Sequence, residues 1–259
     1  MTYQFVEIDR RPPVGILRFN RPNRLNAMDG VMMQEVPVAL RELFEDASIR
    51  VVILTGNGKG FCAGADVSYL EELTLTKDVN RGKALVMAGS ETIKMAHAAE
   101  KPVIAAINGP AAGGGAGIAL ACDVRFMAQS ASIGFTFIRI GLHPDLGCLY
   151  FLPRLVGPAK AAELMMTGEM VAADEALRLG MVNHVVADAE LLPAALKFAE
   201  ALSEKSPLAL RLLKKGLEQT LEQSLEAVLK YEVYAQGLCF ESNEAEAAIR
   251  KFLAARKTH

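Results

Sequence analysis

Two segments of the sequence repeat one order of elements: a short apolar strand, a cluster of glycines, and an apolar helix. The first is VVILTGNGKGFCAGAD, which starts at Val51, and the second is KPVIAAINGPAAGGGAGIAL, which starts at Lys101. A continuous apolar run between turn residues is typical of a strand buried on both faces. Because the same order returns after about fifty residues, the sequence predicts an α/β fold of stacked ββα units and not a single open sheet.

Within these units the local pattern predicts further elements. Strands are predicted over residues 14–19, 51–55, 103–107 and 124–128, and helices over residues 31–46, 91–99 and 118–122. The stretch 68–82 is polar and has little periodicity, which predicts a mobile flap. The apolar positions of residues 135–142 predict a segment that is packed inside the protein.

The chain changes character towards its C-terminus. From Leu191 onward glycine becomes scarce, and Ala, Leu, Glu and Lys dominate in patterns typical of helices. We therefore expect a core over residues 1–195 and a helical domain over residues 196–259. The apolar faces of these helices are too extensive for a solvated tail, so we expect them to form a subunit interface.

Composition and charge exclude several classes of partner. The net charge is −2 at pH 7 with a pI near 6.1, so there is no basic field to hold nucleic acid or an anionic membrane. The chain starts with a polar stretch that lacks the apolar core of a signal peptide. The four cysteines and four histidines are scattered, so we expect no disulfide, no metal site and a cytoplasmic protein.

The two glycine clusters are candidate anion-binding turns. A helix start leaves backbone N–H groups without partners, and glycine lets a ligand approach them closely. The amides of Ala65 and Gly114, pointed at one spot, would form an oxyanion hole with two donors. The alternative is that these glycines only allow tight turns and close helix packing. No dinucleotide-binding fingerprint and no Walker lysine accompanies them.

Several motifs together resemble the enoyl-CoA hydratase/isomerase (crotonase) family. They are FNRPNRLNAM, GNGKGFCAGAD, KPVIAAINGPAAGGGAGIALACDVRFMAQSASIGF, GLHPDLG with LPRLVG, and TGEMVAADEALRLGMVNHVV. The resemblance runs from about Val14 to Val186 and implies a spiral of ββα units with a C-terminal helical trimerisation domain. It also implies a homotrimer or dimer of trimers, and an acyl-coenzyme A thioester as substrate with no further cofactor.

The resemblance further implies which residues form the site. The thioester oxygen would accept hydrogen bonds from the Ala65 and Gly114 amides, which makes these two residues catalytic. The implied substrate-binding residues are Ala63, Ala65, Asp66, Val67, Gly113, Gly114, Gly117, Phe137 and Arg24. Arg24 and Lys59 are candidates for the coenzyme A phosphates, although exposed basic residues usually contact only water.

The acidic positions separate the reactions known in this family. Its hydratases use two glutamates to hold and activate a water, and those positions count to Gly117 and Phe137 here. The acid that remains is Asp145 in GLHPDLG, at the position of an aspartate in family members that move double bonds. Members that isomerise ring epoxides in phenylacetate breakdown share GL-x-PD-x-G and LPRLVG. An apolar setting would raise the pKa of Asp145 and suit it to carry a proton.

The main expectation is therefore an acyl-CoA isomerase of this family with Asp145 as base. The alternatives are an enoyl-CoA hydratase, which is a lyase, and a non-catalytic acyl-CoA-binding homologue. Asp145 could instead cap the turn after Pro144 or pair with Arg139 or Arg154. Glu91 and His143 are weaker candidates for an assisting role. The dehalogenase branch places a tryptophan at position 137, and this chain contains none. The sequence does not specify the acyl group.

Overall fold

The computed structural model of the protein describes residues 2–220 and 222–256. Residues 1, 221 and 257–259 fall within the two predicted domains and lie outside the described residues. The strands are β1 (Val6–Arg11), β2 (Val14–Phe19), β3 (Val51–Gly56), β4 (Val103–Ile107), β5 (Ala111–Ala112), β6 (Val124–Ala128), β7 (Ser132–Gly134), β8 (Met170–Ala172) and β9 (His184–Val186).

The helices alternate with the strands through most of the chain. They are α1 (Gly30–Glu45), α2 (Val67–Thr76), α3 (Val79–His97), α4 (Gly114–Ala121), α5 (Cys148–Val156), α6 (Pro158–Thr167), α7 (Ala173–Arg178), α8 (Leu191–Ser203), α9 (Pro207–Gln219), α10 (Leu225–Glu241) and α11 (Asn243–Arg256). Short 3-10 turns cover Pro22–Arg24, Thr136–Ile140 and Asp188–Glu190.

The main sheet has the strand order β1-β2-β3-β4-β6-β9. The pair β1–β2 is antiparallel, and every other pair in this sheet is parallel. A second sheet joins β5, β7 and β8. Every residue of β3 and β4 is buried, as expected for apolar strands covered on both faces. The predicted α/β fold of ββα units is therefore confirmed, as are the strands expected over residues 14–19, 51–55, 103–107 and 124–128.

Helix α1 follows the predicted helix over residues 31–46 closely. The Asp29 side chain accepts hydrogen bonds from the Val31 and Met32 amides and so caps the first turn. The buried face of α1 lies against α3 and the sheet and includes Met33, Val36, Leu40 and Leu43. Proline at position 37 is accommodated inside the helix.

The structure corrects two predictions for the core. Residues 68–82, predicted as a mobile flap, form most of α2 and the first turn of α3. The helix predicted from Glu91 therefore begins twelve residues earlier, at Val79. The segment 135–142 is only partly inside, because Ile138 and Ile140 are about half exposed on a 3-10 turn while Phe135 and Phe137 are buried.

The C-terminal region is helical, as predicted. The proposed boundary between residues 195 and 196 falls inside α8, whose buried Ala195 and Ala199 pack towards the main sheet. Large apolar side chains on α10 and α11 stay more than half exposed in the single chain, among them Val233, Phe240 and Phe252. None of the helices in the described part of the chain is long and apolar enough to cross a membrane.

Candidate active site

The first glycine turn leaves one backbone amide free beside the end of β3. The Met28 N–H donates to Gly64 O at 2.7 Å, and the Asp66 N–H donates to Met28 O at 2.8 Å. This parallel bridge uses the groups on either side of Ala65, so the Ala65 N–H points away from Met28. Among the residues that the structure describes, the Ala65 N–H donates no hydrogen bond.

The second turn supplies another free amide at the start of α4. Gly113 has a φ of 53°, a conformation that favours glycine, and its N–H donates to Gly134 O at 2.9 Å. Gly114 is the first residue of the helix, so its N–H has no intrahelical acceptor. The helix dipole adds partial positive charge at this end.

The fold brings these two turns together. The Ala112 N–H donates to Cys62 O at 2.9 Å and joins their backbones. Gly64 has a φ of +87°, and a Cβ at this residue would lie only 3.4 Å from the Gly114 nitrogen. The turns that carry the Ala65 and Gly114 amides therefore lie side by side. Two such donors can stabilise a negative oxygen, and removing one typically costs about 2.7–4 kcal/mol of transition-state stabilisation.

Asp145 lies between the 3-10 turn and α5 and has a half-buried side chain. Burial raises the pKa of Asp145 to about 6, and the charge of His143 opposes this rise. In the described part of the chain, Asp145 forms an ion pair with neither Arg139 nor Arg154. The Arg154 guanidinium stacks on Tyr150 and pairs with Glu222 at 3.4 Å. The Arg139 side chain packs against Gly168. The Asp145 carboxylate is thus free of a neutralising cation.

Leu146 connects this carboxylate to the second glycine turn. It has a φ of 47° and is 4% exposed. Its Cδ1 lies 2.6 Å from the position that a Cβ on Gly114 would occupy. Its carbonyl oxygen fills the space where a Cβ on Gly117 would stand. Asp145 therefore sits one residue away from a side chain in direct contact with the residue that offers the second amide.

The sequence analysis did not identify Leu146, although the glycine at position 89 inside a helix is a signal for a close contact. Gly89 lies inside α3, where glycine costs about 1 kcal/mol relative to alanine, and such a glycine often marks a close approach. The Cδ2 of Leu146 lies 2.5 Å from the position of a Cβ on Gly89. Gly89 and Gly114 thus form the two walls of a slot that Leu146 fills.

The other residues assigned to substrate binding differ in their surroundings. Phe137 is buried, and its ring lies 3.6 Å from the position of a Cβ on Gly113. The Ala63 N–H donates to Leu25 O at 3.0 Å, so this amide is occupied. Val67 is 65% exposed at the start of α2. Arg24 is exposed in the first 3-10 turn.

The Asp66 side chain has structural partners, and its assignment to substrate binding stays a prediction. Its carboxylate pairs with Arg21 at 2.7 Å and accepts from the Ser68 N–H at 2.9 Å, capping α2. Burial alone would raise the pKa of Asp66, but the hydrogen bonds from Arg21 and Ser68 outweigh it and lower the pKa. Each carboxylate oxygen therefore has one partner within the protein.

Glu91 and His143 are both exposed, and the charge of His143 lowers the pKa of Asp145 against the effect of burial. Cys148 is buried beside Asp145, and burial raises the pKa of its thiol, so it stays neutral. No group of three or more His, Cys, Asp or Glu residues that could hold a metal occurs in the described ranges 2–220 and 222–256.

The candidate site thus consists of two free backbone amides on neighbouring glycine turns and a half-buried carboxylate, one residue from the Leu146 contact with Gly114. A family model described as enoyl-CoA hydratase/isomerase matches residues 10–259 of this chain. The chain therefore belongs to the enoyl-CoA hydratase/isomerase family.

Curated relatives match over nearly their whole length. A crotonyl-CoA hydratase from Syntrophomonas wolfei is 35% identical, with 100% of this chain and 98% of the relative covered. A short-chain-enoyl-CoA hydratase from Clostridium acetobutylicum is 34% identical, with 97% and 95% covered. The crystal structure of an enoyl-CoA hydratase from Bacillus anthracis superposes with a TM-score of 0.92 at 33% identity, covering 97% of each chain. These names favour the hydratase alternative over the isomerase reading of the sequence.

Proposed function

We propose that the protein is an acyl-CoA isomerase in which Asp145 carries the proton and the Ala65 and Gly114 amides hold the thioester oxygen. The observation that carries this proposal is the Asp145 carboxylate, half-buried, without a paired cation, and one residue from the contact with Gly114. A base with a pKa of about 6 is mostly ionised at neutral pH, and its conjugate acid still returns a proton readily.

The proposed reaction is a proton shift within a 3-enoyl thioester. The Asp145 carboxylate removes the proton from C2, the electron pair of that C–H bond forms the C1–C2 double bond, and the carbonyl π pair moves onto the thioester oxygen. The resulting dienolate is stabilised by the two amides. Protonated Asp145 then returns the proton to C4, which leaves a 2-enoyl thioester and restores the carboxylate. One carboxylate is sufficient for the whole cycle, and ring-epoxide isomerisation would use the same enolate.

Two-glutamate hydration is disfavoured by the packing at both positions where the family's hydratases carry acids. At Gly117 the Leu146 carbonyl oxygen occupies the space of any side chain. At Phe137 the side chain is a buried aromatic ring beside Gly113. Neither position can hold or activate a water.

Hydration is the second candidate, and the hydratase names of the relatives favour it. In that case Asp145 would remove a proton from a water that attacks C3 of a 2-enoyl thioester, and C2 would receive a proton. The same amides would stabilise the enolate. Hydration thus differs from isomerisation in its substrate and in the need for a held water.

Binding and assembly are part of the same proposal. Exposed Arg24 and Lys59 would meet the coenzyme A phosphates, and coenzyme A would enter only as part of the substrate. The exposed apolar side chains on α10 and α11 support self-association through the C-terminal helices, as a trimer or dimer of trimers. We expect a cytoplasmic location.

One pair of ultraviolet assays distinguishes the candidates. A 3-enoyl-CoA that gains the absorbance of the conjugated 2-enoyl thioester identifies an isomerase. A 2-enoyl-CoA that loses this absorbance identifies a hydratase. Loss of either activity in Asp145→Asn, with the thioester still bound, assigns the base. Binding without turnover of either substrate would leave the non-catalytic homologue.

A further inference from the structure

Leu146 has an unusual set of contacts for a loop leucine. Its left-handed φ of 47° is uncommon for any residue other than glycine and is sterically costly. The side chain is nevertheless 4% exposed. A leucine held in this conformation turns its side chain inward while its backbone continues towards Gly147 and α5.

The slot that receives this side chain exists because two positions lack a Cβ. Cδ2 of Leu146 lies 2.5 Å from the Cβ position of Gly89 on α3, and Cδ1 lies 2.6 Å from that of Gly114 on α4. Real Cβ atoms essentially never come closer than 3.0 Å to another atom. Leu146 is therefore clamped between α3 and the helix whose first amide faces the candidate oxyanion.

Asp145 has no comparable anchor of its own. Its carboxylate makes no ion pair in the described part of the chain, and its only close charged or titratable neighbours are His143 and the neutral Cys148 thiol. Two local hydrogen bonds hold this turn: the Asp145 N–H donates to its own carboxylate, and the Cys148 N–H donates to Asp145 O at 3.0 Å. The carboxylate is thus tied to the main chain of this turn, and Leu146 anchors that turn in the core.

We propose that Leu146 is a positioning residue: clamped between Gly89 and Gly114, it sets the Asp145 carboxylate relative to the Gly114 amide. This inference rests on the proposed function of Asp145 as base. A misplacement of about 1 Å can cost about 10²-fold in rate. Loss of the Leu146 side chain is expected to act on turnover through Asp145, while coenzyme A binding stays intact.

The test perturbs Leu146 from two sides. Leu146→Ala removes the side chain that fills the slot, and Gly89→Ala places a Cβ from α3 against the Leu146 side chain. Alanine is the better helix former at position 89, so a loss of activity there would come from contact and not from the helix. In the double variant Leu146→Ala with Gly89→Ala, the clash is removed. We expect the double variant to be no less active than Leu146→Ala alone, so that the activity losses of the two single variants are not additive.

A matched control lies elsewhere in the core. Leu43 on α1 approaches Gly15 on β2 in the same way, with its Cδ2 2.7 Å from the Cβ position of that glycine. Leu43→Ala, Gly15→Ala and their double variant should lower the melting temperature, with kcat, KM and the pH profile of the remaining activity unchanged.

Three readouts are compared across the six variants: kcat and KM for the 3-enoyl-CoA, the acid limb of the pH profile, and the ¹³C titration of the Asp145 carboxyl. The carboxyl signal is assigned by its absence in Asp145→Asn. For Leu146→Ala we expect kcat to fall by about tenfold or more, KM to change little, and Asp145 to titrate at lower pH as water reaches it.

The outcomes separate this inference from the proposed function. If wild-type protein neither isomerises nor hydrates, the proposed function fails, while the carboxyl titration still tests whether Leu146 sets the environment of Asp145. If Leu146→Ala changes only the melting temperature, as the controls do, the positioning role is refuted. Strictly additive losses in the Gly89–Leu146 pair would refute it as well.

Discussion

Lowering the pH from 8 to 5 is expected to reduce the isomerase rate about 11-fold, because Asp145 must be ionised to accept the first proton. Burial raises the pKa of this carboxyl to about 6. At pH 5 only about 9% of such a group is ionised, compared with about 99% at pH 8. A carboxyl with the ordinary pKa of 3.8 would still be about 94% ionised at pH 5, and the rate would hardly change.

The assay is kcat/KM for a 3-enoyl-CoA at half-unit steps between pH 4.5 and 8.5, followed by the absorbance of the conjugated product. We expect log(kcat/KM) to rise with unit slope up to about pH 6 and then to level off. The matched variant Asp145→Asn keeps the shape of the side chain and removes the base, so its rate should fall by about 10²-fold or more at every pH. The thioester should bind as before.

Two results would refute the reasoning. An acid limb near pH 4 would mean that the carboxylate responsible is fully solvated, or that Asp145 is not the base. More than a tenth of wild-type activity in Asp145→Asn would assign the proton transfer to another group. Each sample is returned to pH 8 and assayed again, so that irreversible acid unfolding is not mistaken for protonation.

The remaining predictions concern stability and packing. Because the pKa of Asp145 is higher in the folded than in the unfolded chain, the contribution of Asp145 to wild-type stability falls as the pH rises from about 4 to about 6. The melting temperature of Asp145→Asn should therefore exceed that of the wild type at pH 8 and equal it at pH 4. Equal melting temperatures at pH 8 would contradict the burial argument. Gly117→Ala places a Cβ on the Leu146 carbonyl oxygen and should cost about 2 kcal/mol of unfolding free energy in urea; a neutral result would mean that this loop adapts freely. The Lys214 ammonium donates to the Asp123 carboxylate at 2.8 Å, and burial raises the pKa of Asp123 against the opposing charge of Lys214. Lys214→Met should lower the unfolding free energy by about 2 kcal/mol at pH 8 and by less at pH 5, where Asp123 can be protonated. A loss of unfolding free energy that does not depend on pH would show that the ion pair is not the cause.

Much of the fold follows from local pattern. The strand at Val51 and the strand at Val103 are recognisable because burial on both faces requires a continuous apolar run, and such runs stand out in any window. Both glycine turns were also located, since a free helix start near a glycine is a property of neighbouring residues. The local pattern shows Asp145 as a lone acid after an apolar segment, and its proposed catalytic role comes from the resemblance to the family.

Other features were decided only when distant segments met. Residues 68–82 lack a clear period, yet they form helices because Asp66 caps α2 and buried Leu73 and Leu85 find partners in the core. Helix propensity is a weak local term, and tertiary burial overrides it.

The site depends on the same distinction. Which amides remain free, and whether Asp145 finds a cation, are questions about pairs of groups far apart in the chain. Leu146 shows this most directly: Gly89 signals a close approach to α3, but the left-handed φ of Leu146 and its contact with both Gly89 and Gly114 are visible only in the structure. The sequence by itself determined which chemical groups were available, and the tertiary structure decided which of them face each other, because contacts between distant segments are set by packing and not by local periodicity.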